Sequence, residues 1–401
     1  MDRSHGTERA LAELLERLAR RYHCEIHLYS HRVADLEIQT RNAARRETAG
    51  GIFWHKVPYA GGPQLVRFVW WLFANASLRR LDALFAHRAT DLVLSPGINC
   101  LNPDVVIVHA LFHRLQELSR QGSSDRTERV GLFRDFHRRA YYGLLTGFER
   151  LVYCRPTVRL AAVSRRTAGL LALYFQREAV LIPNGVDISQ FSVQARTAGR
   201  NRERHRRGYR DEEFVLLLIG NDWRVKGLPA ILRAMATIST LPLRLLVVGS
   251  DSVDPFKEMA NRLGVADRCN WETPQSNVID FYAAADVYVS PSREDSFGLP
   301  VAEAMACGLP VITSVFAGVS SQVRDTVDGF VLHEPEDAST LAALIRQLYL
   351  DKALQHRIGT AAALAAQSWT WDRSAEALWE LLKSAPVRSK SGHRALSAGA
   401  E

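Results

Sequence analysis

The segment from Asp286 to Val311 constrains the fold most, because it places a strand, a turn and a helix start in direct succession. Its first part, Asp286-Val-Tyr-Val-Ser290, is short and rich in β-branched and aromatic residues, which predicts a buried strand. Pro300 suits the first turn of a helix, where its missing N–H costs nothing. The segment therefore predicts a strand, a loop and a helix, the repeating unit of a parallel α/β sheet.

The same alternation extends along the whole chain. The predicted strands are 25–29, 91–94, 104–108, 159–163, 179–182, 214–219, 243–248, 286–290, 310–313 and 329–332. The clearest predicted helices are 7–22, 229–238, 255–263 and 300–307. Because 401 residues exceed one ordinary core, the pattern predicts an α/β protein of two Rossmann-like, doubly wound domains. Ligand is expected in a cleft between them, at the carboxyl ends of the strands.

Polar and basic residues without an apolar period mark the boundary between the two domains. They predict an acceptor-side domain over 1–191, a linker over 192–210 and a nucleotide-binding domain over 211–383. The remainder, 384–401, is rich in Ser, Lys, Arg and Ala, which predicts a disordered tail.

Composition excludes several classes of protein. The five cysteines are odd in number and contain no Cys-x-x-Cys pair, which argues against a disulfide framework and a zinc site. No run of eighteen apolar residues and no signal-peptide pattern occurs, so a cytoplasmic location is predicted. The formal charge of +8 suits an anionic substrate or an anionic membrane surface. No nucleic-acid-binding motif accompanies it, so nucleic acid is not an expected partner.

The strand–turn–helix segment also carries the chemistry of a sugar-nucleotide site. Backbone N–H groups from about Phe297 to Val301, with the positive end of the helix dipole, can hold a diphosphate. Gly298 allows the ligand to approach the backbone closely. Asp295 in the loop and Glu303 one turn into the helix place one carboxylate near the donor sugar and the other near the ribose hydroxyls.

These residues resemble the signature of the retaining family 4 of glycosyltransferases, in which two acids separated by seven residues flank a Phe-Gly-Leu-Pro core. Asp295 and Glu303 have that spacing around Phe297-Gly-Leu-Pro300. The family usually carries Glu at the first position, whereas Glu294 stands one residue too early here. Which of the two neighbouring acids contacts the sugar is left open by the sequence.

The resemblance covers nearly the whole chain and implies the two-domain GT-B fold. Gly220-Asn-Asp-Trp-Arg-Val-Lys-Gly227 matches the family's basic, glycine-flanked loop and is similar to that of lipopolysaccharide core glucosyltransferases. His109 ends a predicted strand where the family places a residue across from the transferred sugar. Residues around Ser4 to Glu8 resemble the family's glycine-rich first loop, although only 1–3 stand where a full strand normally precedes it.

By this resemblance the catalytic candidates are Asp295, His109 and Lys226. The donor-binding candidates are Gly6, Arg224, Lys226, Asp295, Ser296, Phe297, Gly298, Leu299 and Glu303. Three other matches favour structural roles: packing or capping for His113, a helix cap for Ser164, and a tight turn for Asn184-Gly185.

The predicted activity is retaining transfer of a hexose from a nucleoside-diphosphate sugar, with UDP favoured, to a cell-envelope glycan or lipid-linked acceptor. Neither a cofactor nor a metal is expected, because a cation such as Lys226 can stabilise the leaving diphosphate. Two alternatives stay open. One is a sugar-nucleotide epimerase or phosphorylase on the same fold, and the other is a non-catalytic subunit that binds nucleotide sugars.

Two basic, aromatic stretches of the first domain suggest a peripheral contact with an anionic membrane. They are Gln64 to Arg80 and Leu132 to Arg155. The competing interpretation is an aromatic stripe that faces the core beneath a basic, solvated face. The core-facing interpretation is favoured for the first stretch. For the second stretch the two interpretations are equally supported.

Overall fold

The computed structural model describes residues 6–39, 50–85, 90–121, 132–275 and 277–386, and the side chains of 119–138 lie outside this description. The chain divides into two compact units. One consists of residues 1–182 with 372–401, and the other of residues 183–371.

The first unit contains two parallel sheets. A two-stranded sheet pairs β1 (Glu25–Ser30) with β2 (Gly51–Lys56), and a four-stranded sheet has the order β3-β4-β5-β6. The four strands are β3 (Leu94–Pro96), β4 (Val105–Val108), β5 (Arg159–Ala162) and β6 (Val180–Leu181). All their pairings are parallel, so their carboxyl ends share one edge of the sheet.

Five helices and a closing helix accompany these sheets in the described part of the first unit. They are α1 (Gly6–Arg21), α2 (Gln64–Phe85), α3 (Phe112–Gln121), α4 (Leu132–Tyr153), α5 (Arg165–Phe175) and the closing helix Trp371–Ser384. Leu11 and Leu15 of α1 pack on Ile52 and the two-stranded sheet, whereas Phe148 and Val152 of α4 pack against β4 and β5. No helix in the described ranges has both the length and the apolar content needed to span a membrane.

The second unit has one six-stranded parallel sheet of order β12-β11-β10-β7-β8-β9. The strands are β7 (Phe214–Ile219), β8 (Leu243–Val248), β9 (Cys269–Glu272), β10 (Val287–Val289), β11 (Val311–Ser314) and β12 (Phe330–Leu332). Counted from β7, this is the 3-2-1-4-5-6 order of a doubly wound fold. The strand order therefore reverses between β7 and β10.

Seven helices of the second unit lie in its described residues. They are α6 (Val193–Arg206), α7 (Leu228–Thr237), α8 (Asp254–Arg262), α9 (Ile279–Ala284), α10 (Leu299–Ala306), α11 (Ala338–Leu350) and α12 (Lys352–Ala366). Strand residues Leu216, Leu218 and Leu245 are fully buried and form one core with α7 and α11. These uninterrupted apolar strands are typical of a parallel sheet covered on both faces.

The predicted domain boundaries differ from the structure in the linker and at the end of the second domain. Most of the predicted linker, 192–210, forms helix α6, which packs within the second unit. The closing helix joins the first unit from Asp372 onward, whereas the sequence predicts that the second domain continues to 383. Of the predicted tail, 387–401 lies outside the described residues.

Helix α6 lacks an apolar period because its inward contacts are ionic. Arg204 is buried, and its Nη1 lies 3.0 Å from Asp286 Oδ2, while Arg200 Nη2 lies 2.6 Å from Asp286 Oδ1. Asp286 Oδ2 also accepts a hydrogen bond of 2.8 Å from Val215 N at the start of β7. One carboxylate thus joins α6 to the amino ends of β7 and β10.

We expect Asp286→Asn to lower the free energy of unfolding of the second unit by about 3–5 kcal/mol, since it leaves buried Arg204 without its counter-ion. Chemical denaturation followed by circular dichroism measures this loss. Asp280→Asn is the matched control, because its partner Arg202 has a side chain 66% exposed and exposed pairs contribute about 1 kcal/mol or less. Equal effects of the two substitutions would contradict the role of Asp286.

Candidate donor site

The loop after β7 is held in place by the loop after β8. Asp251 accepts hydrogen bonds from Asp222 N at 3.0 Å and Trp223 N at 2.6 Å. Trp223 is buried, with its ring against Phe256 at a centroid distance of 5.7 Å. Lys226, at the end of this loop, is therefore carried by a fixed backbone.

The loops after β7 and β10 touch at Gly227. This residue has φ +87°, and a Cβ there would lie 2.3 Å from the carbonyl oxygen of Pro291. Arg293 N donates to Val225 O at 2.7 Å, so the two loops are joined by a hydrogen bond as well. Only glycine allows this approach.

A third loop, after β11, completes the carboxyl edge of the sheet. Asp295 N donates to Phe316 O at 3.0 Å, and Gly318 N donates to Asp295 O at 2.9 Å. Ser314 Oγ donates to Ser292 O at 2.5 Å. The segment between β10 and α10 is therefore fixed on both sides by backbone contacts.

Lys226 and Asp295 meet at this edge as an ion pair between Lys226 Nζ and Asp295 Oδ2. Their side chains are 18% and 14% exposed, so both are partly shielded and still reach solvent. They stand on the loops that leave β7 and β10, the two strands where the strand order reverses. Ligands of open α/β sheets bind at this switch point.

The remaining donor-binding candidates of the second unit have different surroundings. Phe297 and Leu299 are buried, Ser296 and Glu294 are half-buried, and Arg224 is exposed. Gly298 is the N-cap of α10 with φ +93° and makes no side-chain cap bond. Val301 N donates to Gly298 O at 3.0 Å, so its N–H is engaged within the helix, contrary to the prediction that it faces a diphosphate.

Glu303 is buried, with 2% of its surface exposed. Tyr282 OH, on α9, donates a hydrogen bond of 2.7 Å to Glu303 Oε2, and Phe191 packs edge-on against the Tyr282 ring. Burial raises the pKa of Tyr282 well above its usual value, and the neighbouring Glu303 charge adds to this effect. Tyr282 therefore stays a hydrogen-bond donor that orients the Glu303 carboxylate.

His109 follows the fully buried strand β4 in the first unit. Its side-chain Nε2 is buried and has no hydrogen-bond partner among the described residues. Burial lowers the pKa of His109 to about 4, so the imidazole is neutral at neutral pH. A buried, neutral ring with an unsatisfied nitrogen can accept or donate one further hydrogen bond.

His113 and Ser164 have the structural roles that the sequence favours. Glu149 accepts hydrogen bonds from Phe112 N at 2.6 Å and His113 N at 3.0 Å, and His113 Nδ1 lies 2.6 Å from its Oε2. His113 is thus part of the N-terminal cap of α3. Ser164 Oγ accepts from Thr167 N at 3.1 Å and caps α5.

The structure shows the surroundings of two glycines of the predicted loops, Gly185 and Gly6. Gly185 lies against the chain at the start of the closing helix, where a Cβ would come within 2.2 Å of Trp371 N. That close approach explains the Asn184-Gly185 turn without a ligand. Gly6 is exposed at the first residue of α1 in the first unit, whereas the other donor-binding candidates lie in the second unit.

Sequence reasoning missed Tyr282 and Asp251. Tyr282 lies on α9, a helix of six residues that the apolar periodicity does not reveal. Asp251 is the third residue after β8, in the segment Gly249-Ser-Asp. An acid in the loop at the carboxyl end of a buried parallel strand is a signal that could have marked it.

Comparison with known families identifies the two halves separately. The sequence profile described as "Glycosyltransferase Family 4" matches residues 4–190, and the one described as "Glycosyl transferases group 1" matches residues 199–365. The crystal structure of WaaG, a glycosyltransferase involved in lipopolysaccharide biosynthesis, has a TM-score of 0.74 at 19% identity over 94% of this chain and 96% of that chain. Sucrose-phosphate synthase from Thermosynechococcus elongatus has a TM-score of 0.71 at 20% identity over 94% and 93%. The fold is thus that of the two-domain GT-B glycosyltransferases.

Curated relatives support the same class. A D-inositol 3-phosphate glycosyltransferase of Xylanimonas cellulosilytica is 31% identical over 217 residues, covering 52% of either chain. The enzyme of that name from Geodermatophilus obscurus is 33% identical over 216 residues, covering 50% of this chain and 46% of that relative. This chain spans about half the length of the curated relatives it matches. With the two profile matches, these similarities place the chain in glycosyltransferase family 4.

The buried imidazole of His109 predicts a pH dependence of stability. Its pKa is about 4 in the folded chain and 6.5 in the unfolded chain, so its contribution is fully present above pH 6.5 and is lost as the pH falls towards 4. Between pH 7 and pH 5 we expect a loss of about 2 kcal/mol in the free energy of unfolding. Urea denaturation at both pH values should show this loss in the wild type and a smaller one in His109→Leu. The same pH dependence in both would contradict a buried neutral His109.

Proposed function

We propose that this protein transfers a hexose, with retention of anomeric configuration, from a UDP-sugar to a cell-envelope glycan or lipid-linked acceptor. The observation that carries the proposal is the Lys226–Asp295 pair at the strand switch point of the second unit. A lysine and a carboxylate held together by three fixed loops suit a ligand that combines a diphosphate with a sugar. Family membership supports the same reaction class.

In this proposal Lys226 binds the diphosphate and stabilises the leaving group. As the glycosidic bond breaks, negative charge grows on the β-phosphate, and an ammonium group at that position lowers the barrier. Asp295 accepts hydrogen bonds from hydroxyls of the transferred sugar. In the structure each of the two side chains serves as the counter-ion of the other.

His109 contributes a neutral polar group in this mechanism. Its unpaired Nε2 can hydrogen-bond a hydroxyl of the transferred sugar. Burial lowers the pKa of His109 to about 4, so this group is a neutral imidazole at neutral pH.

The candidate site residues of the second unit concern the sugar donor, and UDP is favoured as its nucleotide. A solved structure of Anabaena Alr3699/HepE in complex with UDP and glucose has a TM-score of 0.63 to this chain at 17% identity. Isothermal titration with UDP- and GDP-sugars, followed by mass spectrometry of products, tests donor choice and turnover together. Heat without product would indicate a binding subunit, and an altered free nucleotide sugar would indicate an epimerase.

The acceptor requires a direct comparison. A cell-envelope acceptor is supported by the fold shared with WaaG, whereas the curated relatives are named for D-inositol 3-phosphate. Incubation with envelope extract in one arm and D-inositol 3-phosphate in the other separates the two. Proton NMR of the new linkage measures retention, and activity in the presence of EDTA tests the predicted independence from metal ions.

Glu303→Gln should weaken UDP binding about tenfold, because unpaired ribose hydroxyls cost about 1–3 kcal/mol each. Tyr282→Phe should weaken binding less, since Glu303 remains and loses only its orienting hydrogen bond. Titration calorimetry with UDP measures both, with Glu294→Gln as the control. Unchanged affinity in Glu303→Gln would remove Glu303 from the ribose site.

Lys226→Ala should lower kcat about 100-fold while weakening UDP binding much less, since the leaving-group charge is larger in the transition state. Arg224→Ala, at an exposed position of the same loop, is the comparison variant. Steady-state kinetics and UDP titration measure the two effects. Equal losses in kcat and in UDP affinity would mean that Lys226 only anchors phosphate.

A further inference from the structure

Helix α2 of the first unit exposes its apolar side chains. The exposed members lie one or two helical turns apart on a single face and form what we call the α2 stripe: Val66, Val69, Trp70, Phe73, Leu81 and Leu84. Phe73 and Leu84 are 65% and 67% exposed. Only Ala74 and Asn75 of this 22-residue helix are buried.

The opposite face of α2 makes polar contacts within the first unit. Asp82 accepts a hydrogen bond of 2.7 Å from Tyr29 OH, and its Oδ2 lies 2.9 Å from His55 Nδ1. Arg79 Nη1 lies 2.6 Å from Cys100 Sγ. The inward side of α2 therefore combines these polar contacts with Phe68 and Leu72, which pack against the core of the first unit, whereas the α2 stripe faces solvent.

This orientation is fixed by several contacts. Trp71 Nε1 donates to Asn99 O at 3.0 Å, and Trp70 Nε1 donates to Pro58 O at 2.9 Å. Phe68 packs edge-on against Phe148 of α4 at a centroid distance of 6.0 Å. A rotation of α2 that buried the stripe would break these hydrogen bonds and the Phe68–Phe148 ring contact.

Charge indicates which surface the stripe fits. The exposed ionic side chains of α2 are basic: Arg67 and Arg80. The one acid of the helix, Asp82, faces inward. An apolar stripe with aromatic residues and a basic border is the composition that inserts into an anionic lipid interface.

We propose that the α2 stripe docks the first unit on an anionic bilayer. The proposal deepens the proposed function, on which it rests, by naming the surface that brings the protein to a lipid-linked acceptor. The nineteen residues from Val66 to Leu84 extend about 27 Å, at a rise of about 1.5 Å per residue. Such a stripe matches a helix that lies in the plane of the headgroups with its apolar face immersed.

The structure favours α2 over α4 for this role, which differs from the expectation drawn from the sequence. In the described part of α4, Phe148, Val152 and Tyr153 are buried in the core of the first unit. Phe133, Phe136, Arg134 and Arg138 lie outside the described side chains. The aromatic residues of Gln64 to Arg80, expected to face the core, include the exposed Trp70 and Phe73.

Vesicle co-sedimentation tests the proposal with the full chain. Wild type should bind vesicles of equimolar phosphatidylcholine and phosphatidylglycerol at low salt, bind phosphatidylcholine vesicles weakly, and be released as salt rises. Phe73→Ser with Leu84→Ser should reduce binding at least tenfold, because two large apolar groups no longer leave water. Arg67→Gln with Arg80→Gln should reduce the difference between anionic and neutral vesicles.

The matched control is Leu173→Ser with Leu364→Ser, two leucines on other helices that are 71% and 67% exposed. This control should bind vesicles as the wild type does. A wild type that stays in the supernatant with anionic vesicles at low salt would overturn the proposal. An equal loss of vesicle binding in Phe73→Ser with Leu84→Ser and in the leucine control would overturn it as well. Concentration-dependent self-association that Phe73→Ser with Leu84→Ser abolishes, without vesicle binding, would assign the stripe to a second copy instead.

UDP titration of the same variants separates this proposal from the proposed function. All three double variants should bind UDP as the wild type does, because their substitutions lie outside the donor-site candidates. Vesicle binding by a wild type that binds no nucleotide sugar would retain the docking surface and reject the donor site. An unchanged circular dichroism spectrum and melting temperature confirm that each variant is folded.

Discussion

The pairing of β7 with β10 is the interaction on which the candidate donor site depends. These two strands are neighbours in space although two other strands lie between them in sequence, and the chain departs from them in opposite directions along the sheet. The loops at their carboxyl ends carry Lys226 and Asp295. At their amino ends, the Asp286 carboxylate joins β7 and β10 to helix α6 through buried arginines. Both ends of the strand pair are thus held by contacts with neighbouring elements.

Backbone contacts, more than side-chain packing, position the catalytic candidates. The loops after β7, β8, β10 and β11 are linked by hydrogen bonds to main-chain groups, and Gly227 allows two of them to approach closely. Such a scaffold limits the rearrangement needed when charge develops on a bound donor, which is the condition for efficient electrostatic stabilisation. Glu303 is also held in one orientation, because Tyr282 donates a hydrogen bond to its buried carboxylate.

The two units differ in where they place apolar surface. The second unit covers both faces of its sheet with helices and buries most of its large apolar groups. The first unit leaves a continuous apolar stripe on α2 and holds that helix through hydrogen bonds and ring contacts. This division suits a protein in which one unit binds a water-soluble donor and the other meets an acceptor at an interface.

The sequence by itself determined the α/β class and most strands of the second unit, because uninterrupted apolar runs such as Phe214 to Ile219 have few alternatives. It also placed Asp295 and Glu303 on one strand–turn–helix segment, since their spacing is local. It did not reveal helix α6, whose inward contacts are ionic and leave no apolar period, or Tyr282 beside Glu303. It also favoured burial of the α2 aromatics, because an apolar stripe looks the same whether it faces a core or solvent. Only tertiary structure decides that direction, through Asp82, Trp71 and Phe68, whose partners lie far away in the chain.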